Sequence, residues 1–182
     1  MKIIPTSIPD LILIDPKSYQ DERGFFFEAF QKERYQKFLN RKINFVQDNL
    51  SRSSKNVLRG LHYQIRQPQD KLVTVIHGSV FDVAVDIRTQ SPTFGQWFGV
   101  VLNDENHYQL FIPKGFAHGF CVISEIVDFH YKCSDYYNPK AEQGILWSDP
   151  SLAIDWPLFD PIISPKDQKY SRLKNIPSEF LF

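Results

Sequence analysis

Through the middle of the chain, apolar and polar residues alternate in short runs cut by turn-forming residues. In residues 80–88, Phe81, Val83, Val85 and Ile87 alternate with Asp82, Ala84, Asp86 and Arg88, the period-two pattern of a half-buried strand. Residues 72–77 precede it across Gly78 and Ser79, so the two stretches predict a hairpin. Further strands are expected at 57–64, 94–102, 108–112, 119–123 and 126–133, separated by Pro92, Gly95, Asn103, Asp104, Pro113 and Gly115. Many short strands at close spacing predict an all-β sandwich or barrel. Only residues 30–38, extendable to Leu39, read as helix, a short charged surface piece. After Pro139 the chain is loop-rich, with Pro150, Pro157, Pro161, Pro165 and Pro177, and is expected to wrap the barrel mouth. No linker divides the chain, so residues 1–182 are expected to form one domain.

Composition narrows the function classes. With 42% hydrophobic and 15% aromatic residues, the chain is neither disordered nor too small to bury a core. Lys plus Arg and Asp plus Glu both count 21, and this zero net charge argues against a nucleic-acid partner. The apolar stretches of the N-terminal MKIIPTSIPDLILIDP are broken by Pro5, Pro9, Asp10 and Asp15. No other run approaches a membrane span, so neither an export signal nor a membrane partner is expected. Cys121 and Cys133 lie in apolar, strand-like segments. Two reduced, buried thiols in a cytoplasmic protein are the expected reading.

Six segments carry candidate chemistry. In Leu58-Arg59-Gly60-Leu61-His62-Tyr63-Gln64, a regular strand points Arg59 and His62 to opposite faces. A bulge at Gly60 would re-aim one of them, so that both enter the barrel. Spacing alone favours a surface arginine and a hydrogen-bonded histidine; the alternative is an anion-binding Arg and a general-base His. Pro113-Lys114-Gly115-Phe116-Ala117-His118 forms a tight turn with His118 where a strand begins, and resembles the second motif of cupin barrels. The first cupin motif here offers only His62, followed by Tyr63 and Gln64, and His77, His107 and His130 stand outside both. A catalytic transition metal needs about three protein ligands, so no metal is expected. Asp21-Glu22-Arg23-Gly24 reads as a charged turn before the aromatic run Phe25–Phe27. Gln47-Asp48-Asn49, with Ser51, Ser53 and Ser54, reads as a polar loop or as ligand-binding groups. Tyr131 shares strand parity with Val127 and Phe129, as a core tyrosine with its hydroxyl at the rim would. Ser164-Pro165-Lys166-Asp167 alone is a proline-bounded turn with solvated charges.

Taken in order, DERGFFFE, QDNLSRS, VLRGLHYQ, KLVTVIHGSVFDVAVDIR, SPTFGQW, IPKGFAHGF, YKCSDYY, WSDP and SPKD resemble the family of dTDP-4-dehydrorhamnose 3,5-epimerases, from Asp21 to Asp167. Each piece is weak and the ordered set is specific. Three departures bear on specificity rather than chemistry. Asn56 stands where Gly is common, Asp70 precedes Lys71 where a small residue is usual, and residues 65–69 lack the frequent Pro-Pro-His.

The resemblance implies a cofactor-free, homodimeric jelly-roll barrel of the cupin kind, with a dTDP-4-keto-6-deoxy sugar as substrate. His62 would remove the proton beside the keto group, Asp167 would orient His62, Lys71 would stabilise the enolate and Tyr131 would return a proton from the opposite face. Arg23, Glu28, Gln47, Asp48, Asn49, Arg59, His118, Glu142 and Lys166 would hold the sugar and diphosphate, and Tyr137 would stack on the thymine. The early apolar runs at Ile3, Ile4 and residues 11–14 could supply a strand to a partner sheet.

Overall fold

Residues 1–182 are all described by a computed structural model, in which strands dominate. They are β1 (Lys2–Ile4), β2 (Ile12–Asp15), β3 (Ser18–Asp21), β4 (Gly24–Phe27), β5 (Gln47–Ser54), β6 (Val57–Gln64), β7 (Lys71–His77), β8 (Ser79–Asp86), β9 (Trp97–Asn103), β10 (Gln109–Ile112), β11 (Phe116–Val122), β12 (Ile126–Cys133), β13 (Glu142–Gly144) and β14 (Ile162–Ile163). The one α-helix, α1, spans Lys32–Leu39, and short 3₁₀ turns cover Asp167–Lys169, Leu173–Asn175 and Ser178–Phe180. One sheet runs β1-β2-β10-β7-β12-β5 and the other β13-β6-β11-β8-β9, with β14 beside β6; β3 and β4 form a separate hairpin. Every pairing is antiparallel except that of β14 with β6. This is the expected all-β jelly-roll barrel with few short helices.

The two sheets bury their facing sides against each other. Val73, Val75, Leu110, Ile112, Val127 and Phe129 from one meet Val80, Ala84, Leu102, Phe120 and Val122 from the other. The outer face of the second sheet is covered too. Val83, Val85, Ile87, Leu58 and Cys121 pack under Ile145, Leu152, Trp156 and Leu173 of the C-terminal segment. That segment therefore blankets one sheet, and only Glu142 and residues 162–167 of it reach the barrel mouth. On the first sheet, α1 seats Tyr35 and Leu39 on Ile14, Leu72 and Phe111.

This layering corrects the reading of residues 80–88. β8 is not half-buried: both faces are covered, and Asp82 and Asp86 are as inaccessible as the valines beside them. The apolar set faces outward under the C-terminal segment, while Val80, Asp82 and Ala84 face the barrel interior. Residues 47–54, read as a polar loop, form the full edge strand β5 along β12. The helix starts later than residue 30 because Gln31 caps it, its side chain accepting the Arg34 N–H at 2.5 Å. Asn40, at φ 50°, closes the other end. Asn56 turns β5 into β6 at φ 65°, a left-handed conformation asparagine tolerates, so the usual glycine is dispensable there. Both cysteines are buried and unpaired. No helix is long and apolar enough to cross a membrane.

Candidate active site

A cavity of about 790 Å³ opens between the two sheets at one end of the barrel. Its wall draws on β5, β6, β7, β11, β12, β13 and the turn at residues 162–167.

Strand β6 reaches it with two residues that a regular strand would separate. Gly60 adopts φ +120°, and the β6–β11 register shifts between His118 and Phe120. Arg59 and His62 consequently both line the cavity. No other residue fits at position 60, since an added Cβ would lie 2.6 Å from the Gly119 Cα and 2.7 Å from the His118 carbonyl oxygen.

His62 is held by a buried carboxylate. Its Nε2 lies 2.8 Å from Asp167 Oδ1, while Asp167 Oδ2 accepts the Gly60 N–H at 3.2 Å. Burial alone would raise the Asp167 pKa, but the hydrogen bond and charge of His62, with the Gly60 and Ser164 donors, hold it below the ordinary carboxylate value. With Nε2–H donated to Asp167, the imidazole lone pair is left on Nδ1, 3.9 Å from Glu142 Oε1. Glu142 is itself fixed from outside, its Oε2 accepting from Tyr137 Oη and Lys166 Nζ, each at 2.8 Å.

Across the cavity stand two groups with no hydrogen-bond partner in the chain, Lys71 Nζ and Tyr131 Oη. Burial lowers the Lys71 pKa, against the raising influence of Cys133, Glu142 and Asp82. Burial raises the Tyr131 pKa, Cys133 adds to this, and Arg59 opposes it. An amine and a phenol thus face a polar space unpaired, positions that a ligand oxygen could satisfy. Asp70 does not pair with Lys71; its carboxylate accepts the Lys114 N–H at 2.9 Å and so caps the Pro113–Gly115 turn.

His118 forms a second pair, its Nε2 lying 2.9 Å from Oδ2 of the fully buried Asp82. Burial depresses the His118 pKa, with Lys71 and His62 assisting and Asp82 opposing. Gln47 accepts the Tyr137 N–H at 2.8 Å and donates to Asn49 at 3.0 Å, and Arg59 donates to Ser53 Oγ at 3.1 and 3.0 Å. No three His, Cys, Asp or Glu side chains converge in a metal-holding group.

Of the expected site residues, the cavity gathers Gln47, Asn49, Arg59, His62, Lys71, His118, Tyr131, Tyr137, Glu142, Lys166 and Asp167. Three lie elsewhere. Asp48 alternates to the outer face of β5 and pairs with Lys132 at 2.8 Å, because neighbouring strand residues point opposite ways. Arg23 sits exposed at the β3–β4 tip, paired with Asp21, and Glu28 pairs with Arg34 at 3.3 Å. Neither reaches this chain's own cavity. Sequence reasoning missed Asp82, whose link to His118 exists only once β8 pairs with β11, and Tyr170, which packs edge-on against His62.

Residues 5–175 match the family model described as dTDP-4-dehydrorhamnose 3,5-epimerase. The chain is 54% identical over 168 residues to the dTDP-4-dehydrorhamnose 3,5-epimerase of Shigella flexneri, covering 92% of this chain and 93% of that one. It is 51% identical to the enzyme of that description from Escherichia coli K12, over 97% of this chain and 96% of the relative. Among solved structures it resembles the dTDP-6-deoxy-D-glucose-3,5-epimerase of Legionella pneumophila Philadelphia 1 in complex with dTDP-4-keto-L-rhamnose. The TM-score is 0.96 at 58% identity, covering 99% of this chain and 96% of that one.

Proposed function

The chain belongs to the dTDP-4-dehydrorhamnose 3,5-epimerase family, and from that membership we propose how its cavity carries out the reaction. The protein is a carbohydrate epimerase that converts dTDP-4-dehydro-6-deoxy-D-glucose to dTDP-4-dehydro-L-rhamnose. Inverting a carbon beside a ketone requires a proton to leave one face of the ring and another to arrive at the opposite face. One observation carries our assignment: His62 stands on β6 and Tyr131 on β12, strands of the two facing sheets, and both line one cavity. A sugar ring lying between the sheets meets a base on one face and an acid on the other.

His62, kept in the Nε2–H tautomer by Asp167, takes the proton with Nδ1, and Asp167 supports the imidazolium that forms. Lys71 donates to the 4-oxygen as enolate charge develops, in a low-dielectric site where such a donor counts most. Tyr131, kept protonated by burial, delivers the second proton. Once His62 has passed its proton to solvent and Tyr131 has regained one, repeating the cycle at the other carbon flanking the ketone completes the double inversion with no redox step, and the reading needs neither metal nor cofactor. Gln47, Asn49 and His118 hold the sugar, Arg59 and Lys166 the diphosphate, with Glu142 at the seam, and Tyr137 stacks on the thymine.

The working form is a cytoplasmic homodimer of this single domain, with no nucleic-acid or membrane partner. The β3–β4 hairpin supports the dimer: Phe25 and Phe26 are 54% and 69% exposed at its end, and Arg23 does not line its own cavity. Arg23 and Glu28 serve the partner's cavity in this reading. Asp48, turned outward against Lys132, drops out of the substrate set.

Turnover in heavy water tests the two-face assignment. The wild type should place deuterium at carbons 3 and 5 with inversion at both. His62→Ala should abolish exchange and turnover together. Tyr131→Phe should retain part of the exchange while losing inversion, because His62 can still remove a proton and return one to the same face. Wild-type inversion by Tyr131→Phe would remove the acid role, and wild-type exchange by His62→Ala would move the base elsewhere, with His118 next in line.

A further inference from the structure

Tyr170 follows directly on the 3₁₀ turn that carries Asp167. Its ring lies edge-to-face on the His62 imidazole, with centroids 5.7 Å apart and planes at 71°. On its other side it covers Gly144, the residue opposite His62 in the β13–β6 register. The fit there is close, since an added Cβ at Gly144 would lie 2.3 Å from the Tyr170 ring. Just beyond it, the Leu146 N–H bonds the Ser171 carbonyl at 2.9 Å and pins the backbone. Tyr170 is half-buried and does not line the cavity; its ring meets His62 and its hydroxyl interacts with Lys166.

Asp167 holds one nitrogen of the imidazole, and a single hydrogen bond leaves the ring free to tilt about it. The other nitrogen makes no hydrogen bond within the chain, and the Glu142 carboxylate stands 3.9 Å from it, beyond hydrogen-bond distance. The remaining restraint on the ring plane is packing. We propose that Tyr170 is a positioning residue for His62: seated on Gly144, its ring fixes the imidazole plane so that Nδ1 faces the sugar while Nε2 stays on Asp167. The inference rests on His62 being the base. The contacts to His62 and Gly144 are made by the ring, so the hydroxyl, which interacts with Lys166, is dispensable for holding the imidazole. Gly144 acquires a reason of its own, since any side chain there would unseat the tyrosine.

The test uses steady-state kinetics on the full-length protein. Tyr170→Ala should lower kcat by about 10- to 100-fold, the scale expected when a catalytic group is displaced by a fraction of an ångström to an ångström. KM should stay within about twofold, because no substrate contact is lost. Tyr170→Phe should restore a near-wild-type kcat. Gly144→Ala should reproduce the kcat loss in the wild-type background and cost little in the Tyr170→Ala background, where its methyl has room. Removing Tyr170 from His62→Ala should cost nothing further. A wild-type kcat in Tyr170→Ala, a loss confined to KM, or a Phe variant as impaired as the Ala variant would overturn the proposal. Should Tyr170→Ala fail to fold, Gly144→Ala decides, and a wild-type kcat there is equally fatal. If His62→Ala keeps its deuterium exchange, it is the base assignment that fails, a result separate from any kcat measured on Tyr170 variants.

Discussion

At the scale of single residues, the cavity sets two neighbouring groups to opposite protonation tendencies. Burial penalises whichever form is charged, so it lowers the Lys71 pKa and raises that of Tyr131. The consequence is that the two titrations are pushed in opposite directions on the alkaline side. Lys71 loses its cation below the ordinary lysine range, while Tyr131 keeps its proton above the ordinary phenol range. Activity should therefore fall at high pH because the enolate loses its cation. Lys71→Arg places a cation that does not deprotonate in this range, and the alkaline limb of kcat/KM should move to higher pH even though the changed geometry lowers the rate. An alkaline limb that stays in place in Lys71→Arg would show that another group sets it. Replacing Lys71 by Met removes the donor, and kcat should fall by on the order of 10²–10³, as for loss of one oxyanion-stabilising group.

At the scale of elements, the crossing of β6 and β11 does the work of bringing Arg59 and His62 to the same side. Gly60 and Gly119 meet backbone to backbone there, and Gly60 sits at a φ that only glycine adopts freely. Gly60→Ala should cost stability through both strain and collision, by about 1–3 kcal/mol for the backbone conformation alone. It should also lower kcat, since both side chains move with the strand. Gly95→Ala is the control: its φ is +77°, but the nearest atom to an added Cβ is Leu173 Cδ2 at 3.7 Å, an ordinary contact away from the cavity. The control should lose some stability by thermal unfolding and keep its kcat; a Gly60→Ala variant no worse than it would mean that the crossing is not what positions His62. The opposite parity of Arg59 and His62 raised a bulge at Gly60 as one alternative, though spacing alone favoured a surface arginine, and the strands with clean flanking turns, 57–64 and 126–133, have the boundaries expected. β5 was not legible, because its inward residues Gln47, Asn49, Ser51 and Ser53 face a polar cavity and leave no apolar stripe. β8 was legible as a strand but not as to which face is inside. Its apolar side is covered by a C-terminal segment more than sixty residues away in sequence, and its buried carboxylates are matched by His118 and Arg88 only in the folded barrel.

At the scale of the whole molecule, the barrel cavity gathers His62, Tyr131 and Lys71 within one chain, yet two of the expected substrate-binding residues, Arg23 and Glu28, stand outside it. Arg23 is 85% exposed in its side chain, on a hairpin that pairs only with itself and ends in exposed aromatics. If that hairpin serves the partner's cavity, each site of the homodimer is built from two chains, His62 from one and Arg23 from the other. Mixed dimers then separate this arrangement from an intramolecular one. His62→Ala subunits lack the base but carry an intact hairpin; Arg23→Ala subunits lack the arginine but keep the base. In a dimer of one of each, the cavity of the Arg23→Ala chain receives an intact hairpin and is complete, while the other cavity lacks both groups. After co-denaturation and refolding of equal amounts, half of the dimers should be mixed, each with one working site, and activity should recover to about a quarter of the wild-type value. Each variant refolded alone should stay at its own low level. If Arg23 acts within its own chain, every site in the mixture lacks one group or the other and mixing restores nothing. The same null result in a sample that sedimentation shows to be monomeric would remove the homodimer itself.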